Sequence, residues 1–182
     1  MSTPPSTLRA YDPDRDRPAL WRLKHAFETD LAAGDEAKAE AYAAKLDDDY
    51  RERYLAWVDD CIAREPECLW LAVTDDAPAG DDGPDGGTGT DAWTPVGYAF
   101  VLPEAFAHVW DAAVLNELYL GPDHRGSGLA DDLLAAAIAH AEEQDLPMDR
   151  MVLDVDPDND RAVAFYRKHG FEPWAEMVAR GL

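Results

Sequence analysis

Cysteine is scarce: Cys61 and Cys68 are the two in 182 residues. They form no metal-binding spacing and no disulfide framework, and they read as free thiols of a reducing cytoplasm. No run of about 18 apolar residues occurs, so no membrane span is expected. The opening Met1-Ser2-Thr3-Pro4-Pro5 lacks the basic and apolar regions of a secretory signal. Positive charge is the other shortage. Sixteen basic residues, of which Lys24, Lys38, Lys45 and Lys168 are the lysines, face 38 acidic ones, for a net charge of -22. With no cationic stripe to release counterions, binding to a nucleic-acid backbone is excluded.

Such charge usually accompanies disorder. Against that stand a 47% hydrophobic content, six tryptophans and regular helical periodicity. A chain of this length buries roughly 70% of its unfolded surface, and one domain over 1–182 is expected. The acids are spread along the chain rather than gathered in a tail. A halophilic origin fits, because at 1 M salt the Debye length falls to about 3 Å and self-repulsion is screened.

Thr7 to Ala10 predicts a first strand. Pro18 suits the first turn of a helix continuing through Leu20, Leu23, Phe27 and Leu31, broken at Gly34-Asp35. A second helical region spans about 37–64, and Cys68 to Val73 reads as a buried strand. Residues 75–91, rich in Gly, Asp and Pro, predict a flexible acidic insertion in a hairpin. Strands follow at Val96–Val101 and Ala112–Leu120, then a helix over about 127–143 with Leu129, Leu133, Leu134, Ala137, Ile138 and Ala141 on one face. Met151 to Val155 predicts a strand, Asp160 to His169 a helix, and Phe171 onward a last strand. No internal repeat is present. Front helices, three serial strands and then strand–helix–strand–helix–strand give a mixed α/β sheet.

Between the Ala112–Leu120 strand and the next helix lies Arg125-Gly126-Ser127-Gly128-Leu129-Ala130. Glycines remove side chains where backbone must approach a ligand, and small Ala130 allows close packing. The helix start offers unpaired N–H groups and a positive dipole end, which suit a phosphate. A structural turn explains the glycines equally well. The loop is neither a Walker loop nor a dinucleotide fingerprint. Asp131 and Asp132 follow it and would repel a polyphosphate unless turned outward or screened. Downstream, Asn159 and Tyr166 stand two helical turns apart on nearly one face. Asn159 also suits an N-cap, and Tyr166 a core aromatic.

Arg125 to Ala130 fits the pattern Arg/Gln-x-x-Gly-x-Gly/Ala, and Asn159-Asp160-Arg161-Ala162-Val163-Ala164-Phe165-Tyr166-Arg167-Lys168-His169-Gly170-Phe171 fits Asn-x-x-Ala-x-x-x-Tyr-x-x-x-Gly-Phe. Both, in this order, resemble the GNAT superfamily of acetyltransferases, from about Val96 to Phe171. The resemblance implies a mostly antiparallel mixed sheet with splayed central strands and flanking helices. It implies acetyl-CoA as co-substrate, held by the backbone of Leu118, Tyr119 and Leu120 and by Arg125, Gly126, Ser127, Gly128, Leu129 and Ala130. Asn159 would lie against the pantetheine arm, and Tyr166 would protonate the departing thiolate.

An alkylammonium must lose a proton before it attacks a thioester. Glu117, the one carboxylate in Val114–Leu120, is the candidate base; a substrate-orienting or ion-paired role is the alternative. Many relatives carry the base at the position of Asn116, which strand alternation points the other way. His108, His124 and His140 read as surface residues. Asp154 to Asp158 resembles a calcium loop but lacks its glycine and its terminal glutamate, so no metal is expected. The expected function is acetyl transfer to a primary amine of a small molecule or of a protein N-terminus. The alternative is a silent acyl-CoA-binding sensor or interaction protein. Phe27, Tyr50 and Tyr54 are candidates for the acceptor pocket, and an exposed last strand would let two copies pair.

Overall fold

The structure, a computed structural model, describes residues 6–32, 35–75 and 93–181. The expected insertion at 75–91 therefore lies, apart from Asp75, outside the described residues. Two compact units divide the chain, Met1–Val152 and Leu153–Leu182, and each is taken by itself.

The first unit is a five-stranded sheet in the order β1 (Ser6–Ala10), β2 (Leu69–Thr74), β3 (Thr94–Val101), β4 (Ala113–Leu120) and β5 (Met151–Val152). The first three pairings are antiparallel and β4–β5 is parallel. β5 pairs with β4 only at Ala113↔Met151 and Val114↔Val152, so the ladder ends before Leu115–Leu120. This is the mixed, mostly antiparallel sheet that the resemblance implied, and the strands that part are β4 and the edge strand β5.

Three helices precede β2: α1 (Pro13–Leu31), α2 (Glu36–Lys45) and α3 (Asp48–Arg64). α1 begins five residues before the expected Pro18, because Pro13 occupies its first turn and the Asp12 carboxylate accepts from Asp14 N–H. The expected helical region over 37–64 is two helices. Asp47 breaks it by capping α3, its carboxylate accepting from Tyr50 N–H at 2.7 Å. Leu20, Leu23, Tyr54, Leu55, Val58 and Ile62 bury against Leu69, Leu71, Val73, Tyr98, Phe100 and Tyr119. Residues two apart on each strand share that face, as the pleat requires.

α4 (Leu129–Ala141) buries Leu129, Leu133, Leu134, Ala137 and Ala141. His140 is buried too, against expectation, because its imidazole meets the Glu65 carboxylate at 2.5 Å.

The second unit holds α5 (Asp160–Lys168). Asn159 is its N-cap, Oδ1 accepting from Ala162 N–H at 3.1 Å. Gly170, at φ 85, ends it in a Schellman motif: Phe171 N–H donates to Tyr166 C=O and Gly170 N–H to Arg167 C=O. The strand expected from Phe171 onward does not form: residues 171–181 have no regular structure, and Trp174, Met177 and Val178 are exposed.

Candidate active site

β4 is irregular where it matters. Its register with β3 slips between Phe100↔Glu117 and Val101↔Leu115, leaving Asn116 as an extra residue without a partner. A bulge of this kind re-aims side chains. Strict alternation would put Asn116 and Glu117 on opposite faces. Instead the Asn116 amide donates to Glu117 Oε1 at 3.2 Å, and both side chains line one cavity of about 320 Å³.

Glu117 is buried in a cage of donors. Lys24 Nζ (2.7 Å) and the Asn116 amide reach Oε1; Tyr54 Oη (2.8 Å) and Tyr98 Oη (2.7 Å) reach Oε2. A carboxylate has about four lone-pair positions, and here all four are taken. Lys24 also meets Glu28 at 2.6 Å, one helical turn on, and Glu28 meets Lys45 of α2 at 2.7 Å. The chain Glu117–Lys24–Glu28–Lys45 thus runs from the cavity floor to a half-exposed lysine, using two of the four lysines in the protein. Burial disfavours the Lys24 charge, but the Glu117 and Glu28 carboxylates outweigh it and raise its pKa above 10.5. Burial likewise opposes the Glu28 charge, yet Lys24 and Lys45 hold its carboxyl below 4.5. Burial and then the Glu117 charge push the Tyr54 and Tyr98 hydroxyls well above 10.0, so both remain donors.

Tyr50 and Tyr54 do line the cavity, with Trp57 and Arg53 of α3. Phe27 does not; it packs edge-on against Tyr98 and Tyr119. Sequence reasoning missed Lys24, Glu28, Arg53 and Tyr98. Lys24 and Glu28 left a readable trace, since they extend the apolar row begun by Leu20 at four-residue spacing.

The glycine loop begins at the end of β4. Gly126 (φ 81) and Gly128 (φ 95) adopt left-handed conformations, and a Cβ on either would meet nothing within 4 Å. The loop therefore presents bare backbone to open space. The α4 start supplies the N–H groups that no helix satisfies internally; Leu129 N–H has only Ser127 Oγ at 3.4 Å. These donors fit an anion such as a pyrophosphate. Arg125 faces backward: its Nε donates to Leu120 C=O at 3.0 Å, and its Nη2 meets Asp30 at 2.5 Å. Asp132 lines a different groove, about 450 Å³, beside Thr7 and Leu8 of β1.

In the second unit, Tyr166 packs between Phe165 and Phe171, ring centroids 5.4 and 5.7 Å away. Burial lifts its hydroxyl from 10.0 to about 12. In the rest of its motif, Asn159 starts the helix and Gly170 ends it.

Residues 33–171 match the acetyltransferase (GNAT) family model. A mycothiol acetyltransferase of Paenarthrobacter aurescens is 30% identical over 179 residues, 96% of this chain and 45% of the relative. One from Kocuria rhizophila is 40% identical over 67 residues, 35% of this chain and 22% of the relative. The chain thus spans less than half the length of these curated relatives. Among solved structures, the PaiA N-acetyltransferase of Thermoplasma acidophilum in complex with coenzyme A superposes with a TM-score of 0.65 at 18% identity, covering 92% of this chain and 90% of the other. At that identity the likeness speaks for the fold.

Proposed function

The chain belongs to the acetyltransferase (GNAT) family, and on that premise we propose that it transfers an acetyl group from acetyl-CoA to a primary amine of a small molecule or a peptide N-terminus. Acetyl-CoA supplies the activated thioester. The observation that carries the reading is the loop of two left-handed glycines opening onto free space at the start of α4. Gly126 to Ala130 hold the pyrophosphate through backbone N–H groups, and β4 at Leu118, Tyr119 and Leu120, beyond its last pair with β5, lends its backbone to the pantetheine arm. Asn159 caps α5 and so sets the helix that carries Tyr166.

Tyr166, protonated at neutral pH, gives its proton to the departing sulfur. Of the two roles open to Glu117, its four donors favour the ion-paired one: the carboxylate ties α1, α3 and β3 together beneath the acceptor cavity. The high acidity is read as adaptation to concentrated salt, and dialysis into dilute buffer is expected to unfold the protein.

A thiol-release assay over a panel of amines tests the reading. Tyr166→Phe should lower kcat by about 100-fold, the lower end for general acid catalysis, with CoA affinity unchanged. An unchanged kcat would remove Tyr166 from the mechanism.

A further inference from the structure

The cavity beside Glu117 is badly made for an ammonium ion. An ammonium carries three donors and needs acceptors with open lone pairs. Among the lining residues Glu117 is the one carboxylate, and Lys24, Asn116, Tyr54 and Tyr98 already occupy it fully. The tyrosine faces that attract cations are also in use. Lys24 Nζ lies 4.9 Å from the Tyr54 ring centre, and Lys45 Nζ lies 5.5 Å from that of Tyr50. Trp57 packs its ring against Phe100 at 5.2 Å.

Like charge adds to this. Lys24 and Arg53 both line the cavity. The charged and titratable groups facing its floor are Lys24 and Glu28 from α1, Lys45 from α2, Tyr50, Arg53 and Tyr54 from α3, Tyr98 from β3 and Glu117 from β4. Among Lys24, Glu28, Lys45 and Glu117 the charges cancel, and Arg53 is offset by its exposed partner Asp49. In a chain of net charge -22 this is a neutral patch, and among the described residues that line it an incoming cation finds no unspent negative charge.

We propose that the acceptor enters this cavity as the neutral amine, which limits the substrates to weakly basic primary amines such as the α-amino groups of peptides and amino-acid amides or the amino groups of sugars. The inference rests on the acetyl-transfer reading and narrows its acceptor class. The proton leaves the ammonium in bulk water, before binding. The amine nitrogen then attacks the thioester carbon, the N–C bond forms and the C–S bond breaks. Tyr166 gives the sulfur its proton, the nitrogen releases one to solvent and Tyr166 is reprotonated from solvent, so the overall transfer is proton-neutral. No carboxylate base is required, and the saturation of Glu117 ceases to be a puzzle.

Basicity then becomes the selectivity filter. An α-amine with a pKa near 7.8 is about one-third neutral at pH 7.5, whereas an alkylamine near 10.4 is about 0.1% neutral. The experiment measures kcat/KM for an amino-acid amide, an amino sugar and an alkylamine from pH 6.5 to 9.5, with acetyl-CoA saturating. For each amine, log kcat/KM is expected to climb with unit slope below that amine's own pKa, so the α-amine levels off at about 7.8 while the alkylamine still climbs at pH 9.5, and the α-amine leads by about 250-fold at pH 7.5. A plateau at one pH common to all amines would reveal a titrating base on the enzyme and overturn the inference while leaving acetyl transfer intact. Thiol release with no amine at any pH would overturn acetyl transfer itself. Asn116→Ala opens one lone pair on Glu117 without removing a charge, and it should narrow the α-amine to alkylamine gap at least about tenfold. An unchanged gap would show that the occupied carboxylate is not what turns cations away.

Discussion

The glycine loop and the cavity floor both manage charge, by opposite means. The loop uses six consecutive residues, bare backbone and a helix start, and Gly126 and Gly128 face open space. The floor uses side chains from α1, α2, α3, β3 and β4, with Lys24, Glu28 and Glu117 each about 5% exposed. A backbone site survives most side-chain changes. A buried ionic network does not, because each member removed strands the others without solvent. The largest effect is therefore expected at the floor. Lys24→Met should cost about 3–5 kcal/mol, read as a fall in the urea midpoint. Arg125→Met in the loop, which parts Arg125 from the half-exposed Asp30, should cost no more than about 1 kcal/mol. Equal losses at the two sites would break the contrast.

Acid should find the floor as well. The Glu28 pKa is lowered in the fold, so its ion pairs contribute stability above the unfolded value of 4.5 and lose it as pH falls through the folded one. The Lys24 pKa is raised, so its contribution is complete below 10.5 and fades as pH climbs through the folded value. The network is thus at full strength across neutral pH. Glu28→Gln should flatten the decline in stability below pH 4.5; an unchanged acid limb would place the acid-sensitive groups elsewhere.

The two regions also differ in how far the sequence discloses them. The loop is legible because its function is local: Gly126, Gly128 and the start of α4 are neighbours in the chain. The same holds for α5, where Asn159, Tyr166 and Gly170 belong to one helix and its two ends. The floor gathers residues up to 93 positions apart, and neither the Lys24–Glu117 pair nor the Tyr98 hydroxyl has a local signature. The bulge at Asn116 is hidden for another reason: register belongs to two strands at once, so β4 alone cannot announce it. At the start of α1 two signals compete. Pro18 reads as a first-turn proline, yet Asp12-Pro13 does the capping five residues earlier. The apolar residues after Phe171 read as a strand, but a strand is made by two segments at once, and 171–181 adopt no regular structure.

A loop glycine should give an effect of middle size. Gly128→Ala forces a side chain into the left-handed region at φ 95, costing about 1–2 kcal/mol of stability. The new Cβ also projects into the space above the loop. CoA affinity, measured by calorimetry, should fall more than the stability loss alone would suggest. Ser127→Ala, one residue earlier and without that constraint, is expected to lose at most a fewfold, since Ser127 Oγ donates to His124 C=O rather than facing outward. Similar losses in both variants would mean that the loop binds through its side chains after all.

The smallest expected effect lies where the two kinds of charge management meet. Asp30, at the end of α1, holds the Arg125 guanidinium with a carboxylate, so a pyrophosphate arriving at the loop must compete with an anion already in place. Both partners are partly exposed, which sets the pair at about 0.2–1 kcal/mol, or up to about a fivefold change in affinity. Asp30→Asn should therefore tighten CoA binding by no more than that factor. Salt acts on the same balance. Rising ionic strength weakens the Asp30 hold and screens the repulsion from Asp131 and Asp132, and it shortens the Debye length from about 10 Å at 0.1 M to 3 Å at 1 M. It also screens the attraction of Arg125 for phosphate, but with a net charge of -22 repulsion is the larger quantity. Titration of CoA between 0.1 and 2 M salt should show affinity improving with salt in the wild type and improving less in Asp30→Asn. Affinity that falls with salt in both proteins would mean that Arg125 grips phosphate directly and Asp30 is a bystander.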